Sequence, residues 1–156
     1  RIDTNEVLIY PPIFLDGEYN GKAIKTYRIN KGETMANSTS HDQTLLELMT
    51  EDGIMLNPIK CGGDIALNQD REQWTDGANA FAIKPGVIIG YGRNSNTLEE
   101  LRKNNYQITS AQSFLSEPDR YEGSKVMITI EGSELSRGRG GTRCLTLPIL
   151  REEYHG

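Results

Sequence analysis

The chain has little of what marks the more specialised protein classes. It holds only two cysteines, Cys61 and Cys144, too few for a disulfide framework, so a reducing cytoplasm is the expected compartment. Its two histidines, His41 and His155, lie far apart, and neither CxxC nor HExxH spacing occurs, which argues against a zinc site. Positive charge is not in excess: 17 Lys and Arg stand against 22 Asp and Glu, a net charge of -5. A general nucleic-acid binder needs a broad cationic surface to displace phosphate counterions, so that class is disfavoured. Apolar runs stop after a handful of residues, well short of a membrane span. Neither an initiator methionine nor an apolar leader opens RIDTNEVLIY, which leads us to expect a processed or truncated product. What remains is ordinary for one globular domain: 156 residues, 36% hydrophobic and 25% charged, with a mean hydropathy of -0.55, enough to bury a core.

Along the chain the pattern alternates between strand and helix. EVLIY (6–10) is a compact β-favouring run stopped by Pro11-Pro12, and AIKTYRI (23–29) alternates at period two, with turn signals at Asp16-Gly17 and Asn20-Gly21 between them. Ser40, with Gln43 three residues later, predicts a capped helix through HDQTLLELMTEDG. IMLNPIK (54–60) returns to extended structure. NAFAIK and VIIGY read as strands around Pro85-Gly86, a pair suited to a type II turn. NTLEELRKNN follows as a helix capped by Asn96 or Thr97, and YQIT as a strand. The two helices share Thr-Leu-x-Glu-Leu at Thr44 and Thr97, an offset of 53 residues. Strand, strand, helix, strand thus occurs twice, which suggests a radial array such as a propeller, with too few units to close a ring. KVMITI (125–130) is a further strand, SEPDRYEGS (116–124) an exposed polar loop, and CLTLPIL (144–150) an alternating strand with Cys144 at its edge.

The densest chemistry lies in SELSRGRGGTRCLTLP (133–148). Arg137, Arg139 and Arg143 surround Gly138, Gly140 and Gly141 just before Cys144. Nearby cations favour a thiolate, glycines let backbone press against a ligand, and a guanidinium fork suits a carboxylate. The alternative is an inert buried thiol beside solvated arginines. A phosphate loop fits poorly, since no GK[ST] follows, and a single RGG copy in an acidic chain is a weak RNA signal. In CGGDIALNQDREQWTDGAN (61–79), Asp64, Asp70, Glu72 and Asp76 are candidate acids or bases and Trp74 a candidate pocket wall. Packing and an ordinary Asp76-Gly77 turn before Asn79 are the competing reading. Cys61 has no cationic set beside it and reads as structural. His41 and His155 read as solvent-facing, so no residue here supplies a persuasive proton shuttle.

REQWTDGANAFAIKPGVIIGYGRN (71–94) and GSELSRGRGGTRCLTLPI (132–149), in this order and separation, resemble the C-terminal signatures of the arginine deiminase family, and the likeness runs from about Arg1 to Arg151. The resemblance implies an α/β fold, a partial five-bladed α/β propeller built of ββαβ units with about two blades present, approximately 1–63 and 64–156. It implies hydrolysis of L-arginine to L-citrulline and ammonia through a covalent amidino-cysteine intermediate. Cys144 then matches the nucleophile, Arg139 an arginine lining the substrate site, and Gly138 a glycine whose backbone meets substrate, while Arg137 and Arg143 lend electrostatic support. The family's His-x-Asp-Thr motif, carrying the acid/base histidine and a guanidinium-binding aspartate, would stand just before RIDTNEVLIYPP, and Ser40-His41-Asp42-Gln43 does not replace it. The chain is therefore expected to be inactive alone and to need the N-terminal remainder of the same protein, with homo-oligomerisation through unpaired blade faces. Neither metal, organic cofactor, nucleic acid nor membrane is implied. A non-catalytic interaction fragment, or a related dimethylarginine hydrolase or amidinotransferase, remains open.

Overall fold

A computed structural model describes residues 1–35, 38–132, 134–138 and 140–150. The first half comprises β1 (Glu6–Ile9), a helical turn α1 (Pro11–Phe14), β2 (Glu18–Tyr19), β3 (Lys22–Ala23), β4 (Thr26–Arg28), β5 (Thr39–His41), α2 (Leu45–Glu51) and β6 (Asn57–Lys60). The second comprises α3 (Ala66–Trp74), β7 (Phe81–Lys84), β8 (Val87–Tyr91), α4 (Ser95–Lys103), β9 (Gln107–Ser110), α5 (Ala111–Ser116) and β10 (Val126–Ile130). Mixed α/β architecture is thus observed. Among the described residues its sheets are small and none closes on itself: β1 with β6, β2 with β3, β4 with β5, and a four-stranded sheet ordered β7-β8-β10-β9.

That larger sheet organises the core. β8 runs antiparallel to β7 and parallel to β10, which in turn runs parallel to β9. Parallel strands covered on both faces need apolar residues at successive positions rather than strict alternation, and VIIGY and VMITI supply them. Because successive side chains point to opposite faces, Ile88 and Met127 join Leu8, Ile59, Leu98 and Leu101 on one side. Val87, Val126 and Ile128 join Tyr121 on the other, with Phe114 packed against them. Gly86 has φ +75°, the conformation a type II turn requires at its third residue, so Pro85-Gly86 turns β7 into β8 as expected. A buried Glu6 ties β1 to this unit: its carboxylate accepts from the Tyr106 hydroxyl at 2.9 Å and the Lys125 ammonium at 2.6 Å.

Several local expectations are corrected. Ser40 does not cap α2; it pairs with Tyr27 in the β4–β5 ladder. Thr44 takes the cap instead, its hydroxyl accepting from the Glu47 N–H while the Glu47 carboxylate accepts from the Thr44 N–H. AIKTYRI is not one strand but is divided between β3 and β4. Residues 118–121 form a 3-10 turn that buries Tyr121, so SEPDRYEGS is not wholly exposed. Residues 66–74, read from the sequence only as a dense polar stretch, form helix α3.

Nor do Asn96 or Thr97 cap α4. Its cap residue is Asn94, which makes no side-chain cap bond. The role passes to Glu72 on α3, 6% exposed. One carboxylate oxygen accepts from the Asn96 N–H at 2.9 Å and amide at 2.7 Å; the other accepts from the Thr97 N–H at 2.7 Å and hydroxyl at 2.6 Å. An anion at the positive end of a helix satisfies otherwise orphaned donors. Thr97 also accepts from the Gly62 N–H at 2.9 Å, so the same cluster anchors the end of β6. Glu72→Ala would leave these donors unpaired in a buried place. It is expected to destabilise the fold by about 3 kcal/mol, read from urea unfolding, with Glu72→Gln, which keeps one acceptor oxygen, losing less.

Candidate active site

Two segments converge at Cys144. The first is the turn that leads from α3 to β7. The Gly77 N–H donates to the Glu72 carbonyl at 2.7 Å and the Asn79 N–H to the Asp76 carbonyl at 3.0 Å. Asp76 holds φ +59°, a left-handed conformation uncommon for a residue with a Cβ and often met at functional turns. Gly77 admits no side chain, since a Cβ would stand 2.8 Å from both the Cys61 sulfur and the Glu72 carbonyl.

The second segment is the glycine-rich loop after β10. Gly132 packs under the buried Tyr91 ring, where a Cβ would lie 2.2 Å from a ring carbon. The Tyr91 hydroxyl donates to the Gly140 carbonyl at 2.9 Å. Burial, with Asp76 and Cys144 nearby, raises its pKa above the ordinary phenol value, so it stays protonated as a donor. Thr142 is buried, its hydroxyl within 3.0 Å of the Asn79 carbonyl and 2.7 Å of the Ile89 carbonyl. Gly141 lies so close to Asn79 that a Cβ would stand 2.4 Å from the Asn79 Cβ. The Cys144 N–H then closes a turn onto the Gly141 carbonyl at 3.0 Å.

These constraints bring Cys144 to an open depression of about 550 Å³, lined by Gln73, Asp76, Ala78, Asn79, Arg143 and Cys144. Cys144 is exposed, which excludes the inert buried reading. Its sulfur accepts from the Asn79 side-chain amide, Nδ2 to Sγ 3.0 Å. The Oδ2 of Asp76 and the Oδ1 of Asn79 are buried without a hydrogen-bond partner among the described residues. Cys61 is the opposite case, 0% exposed: burial, reinforced by the Glu72 charge and only partly offset by Thr97, pushes its thiol up to about 11.

The other candidates separate. Arg143 lines the depression, whereas Arg137 pairs with Glu134 at 3.1 Å on the surface. Gly138 ends the 3-10 turn Leu135–Gly138 with open space around it. Arg139 and His155 lie outside the described residues. Of the four carboxylates noted in the sequence, only Asp76 lines the Cys144 depression. Asp64 pairs with Lys60 at 2.7 Å, which holds its carboxyl below the ordinary range. Asp70 accepts from the Tyr10 hydroxyl, and Glu72 caps α4. Trp74 borders a different depression with Arg71, Arg93 and Asn96. His41 sits in β5, not solvent-facing as expected but half-buried, with its Nε2 unpartnered among the described residues; it does not line the Cys144 depression.

Cys144 occupies a turn, not a strand edge, and no strand forms over 144–150. Pro148 lacks one ladder donor, the Leu145 N–H turns back to the Gly141 carbonyl at 3.3 Å, and Leu145, Leu147 and Ile149 are 58%, 83% and 94% exposed. Asn79 is the residue that sequence reasoning missed. It stood inside a quoted motif, but its link to residue 144 spans 65 positions and leaves no local pattern. Among the described residues, no group of three or more His, Cys, Asp or Glu is arranged to hold a metal ion, and no helix is long and apolar enough to cross a membrane.

A family model for arginine deiminase matches residues 1–151. An arginine deiminase of Mycoplasma capricolum is 35% identical over 156 residues, 98% of this chain and 32% of the relative. One of Latilactobacillus sakei is 37% identical over 155 residues, 97% of this chain and 32% of the relative. One of Borrelia recurrentis is 42% identical over 104 residues, 65% and 20% respectively. The chain thus spans about a third of the length of the first two (32%). From the geometry, brief iodoacetamide treatment at pH 8 should alkylate Cys144 and spare Cys61 until the protein is unfolded. Peptide mass spectrometry before and after denaturation checks this; early labelling of Cys61 would contradict its burial.

Proposed function

This chain belongs to the arginine deiminase family, and on that premise we propose that it forms the C-terminal part of a cysteine-dependent hydrolase converting L-arginine to L-citrulline and ammonia. The observation that carries the reading is the contrast between its two thiols. Cys144 is exposed in a depression with a hydrogen-bond donor on its sulfur, while Cys61 is sealed in the core.

In the proposed reaction the Cys144 thiolate attacks the guanidinium carbon, forming a C–S bond. A terminal C–N bond then breaks, and the leaving nitrogen takes a proton and departs as ammonia. Water adds to the amidino carbon and gives up a proton. The C–S bond breaks, returning the thiolate, and the new carbonyl oxygen loses its remaining proton as citrulline is released. The substrate is itself a cation, and an opposite charge beside a thiol favours its ionised form, so bound arginine helps to ionise its own nucleophile. Gly138 and Arg139 are assigned to substrate binding by the family resemblance. The acid/base histidine and the guanidinium-binding carboxylates are assigned to the rest of the protein, so residues 1–156 alone are proposed to be inactive.

We also take the fold as part of a five-bladed propeller, with approximate units 1–63 and 64–156. Support comes from the chain order β7, β8, α4, β9, a ββαβ run whose strands share one sheet with β10 between β8 and β9. The exposed side chains of Leu145, Leu147 and Ile149 offer an apolar surface for the remainder of the protein or a second copy. Two unpaired thiols suit a cytoplasmic setting. Cys144→Ala in the complete protein is expected to lower citrulline formation by roughly 10⁴-fold or more, as deletion of a covalent nucleophile does. A colorimetric citrulline assay measures it, and an unchanged rate would refute the assignment.

A further inference from the structure

We infer that Asn79 is a further catalytic residue of the proposed deiminase: its side-chain amide N–H holds the Cys144 sulfur as a thiolate and sets the direction from which it attacks. This rests on the reading of Cys144 as nucleophile. The direct observation is the 3.0 Å contact from Asn79 Nδ2 to Cys144 Sγ, the one side-chain hydrogen bond to that sulfur among the described residues.

The contact is built into the fold rather than left to a mobile rotamer. Asn79 is fixed at its backbone N–H, which donates to Asp76 at 3.0 Å, and at its carbonyl, which lies within 3.0 Å of the Thr142 hydroxyl. Gly141 lies against its side chain, and only the missing Cβ allows that approach, since an added one would meet Asn79 Cβ at 2.4 Å and Cγ at 2.5 Å. Three of the four residues from Gly141 to Cys144 therefore contact Asn79, and the cysteine turn cannot shift without moving it.

The chemistry favours a neutral donor here. A hydrogen bond to the charged form stabilises a thiolate, yet an uncharged amide does not repel an approaching guanidinium as a lysine would. Among the described residues, the charged side chains lining the same depression are Asp76 and Arg143; Tyr91 underlies the loop through Gly140, and Arg137 is turned to Glu134. Asp76 and Arg143 carry opposite formal charges, which leaves the amide as the specific stabiliser.

The test uses the complete enzyme and two readouts: the pH dependence of Cys144 alkylation by iodoacetamide, and kcat and KM for arginine. Asn79→Ala removes the donor, and Asn79→Asp keeps the size while replacing the donor with an anion. Both are expected to move the alkylation inflection upward, by about one pH unit for Asn79→Ala and further for Asn79→Asp. Turnover near neutral pH should fall about tenfold or more, mainly in kcat. An inflection in either variant that coincides with the wild type would make Asn79 a packing residue and overturn the inference. Should Asn79→Ala fail to fold, the equal-sized Asn79→Asp carries the same decision. Turnover that survives Cys144→Ala would instead overturn the underlying reading, so the two failures are distinguishable.

Discussion

The buried carboxylate of Glu72 is the constraint from which most of the second half follows. Removing an ion from water is expensive unless its lone pairs are answered. Here two backbone N–H groups, an amide and a hydroxyl answer them, at the end of α4 where the helix dipole favours negative charge. One side chain thus fixes α3 against α4, and through Thr97 it holds Gly62 and the buried Cys61. Its own carbonyl receives Gly77, so the turn bearing Asp76 and Asn79 leaves α3 at a set place. The floor beside Cys144 is an indirect product of a helix cap.

The two cysteines show how environment divides one chemistry. Cys61 stands where β6 ends, covered by the Glu72–Thr97 cluster and pressed by Gly77; desolvation and a nearby negative charge both disfavour its thiolate. Cys144 stands on a turn whose backbone is consumed by Gly141, while its sulfur meets an amide donor. The glycines are explained by this geometry at Gly132 and Gly141, where Tyr91 and Asn79 occupy the space a side chain would need. Gly138 has open space instead and is not explained by packing. Its place in the family motif motivates a different role.

Patterns confined to a few neighbouring residues were legible in the sequence. Pro85-Gly86 marked a hairpin because its dihedral demands are local, and VIIGY and VMITI marked buried strands because both faces need apolar cover. The family signatures located Cys144. Errors arose where two local solutions competed, or where the deciding partner was distant. Both Ser40 and Thr44 precede a glutamine or glutamate by three residues, and strand pairing with Tyr27 removed Ser40 from contention. The α4 cap comes from Glu72, 24 residues upstream, whereas the local Asn and Thr pattern pointed to Asn96 or Thr97. The alternation in CLTLPIL specified an edge, but alternation alone cannot make a strand where no partner lies alongside.

On the proposed reading, this surface would form one half of a cation site. Asp76 and Arg143 face the depression together, so their formal charges oppose each other, and the donor to the sulfur is neutral. Among the described lining residues neither sign of charge prevails. On the proposed reading, ionisation of Cys144 and capture of arginine therefore support each other, because each supplies the charge that the other needs. Carboxylates contributed by the remainder of the protein would then set affinity, while Asn79 and the Gly141 turn keep the sulfur aligned for attack. On that reading this chain would specify the direction of the sulfur, and the remainder of the protein would retain the substrate.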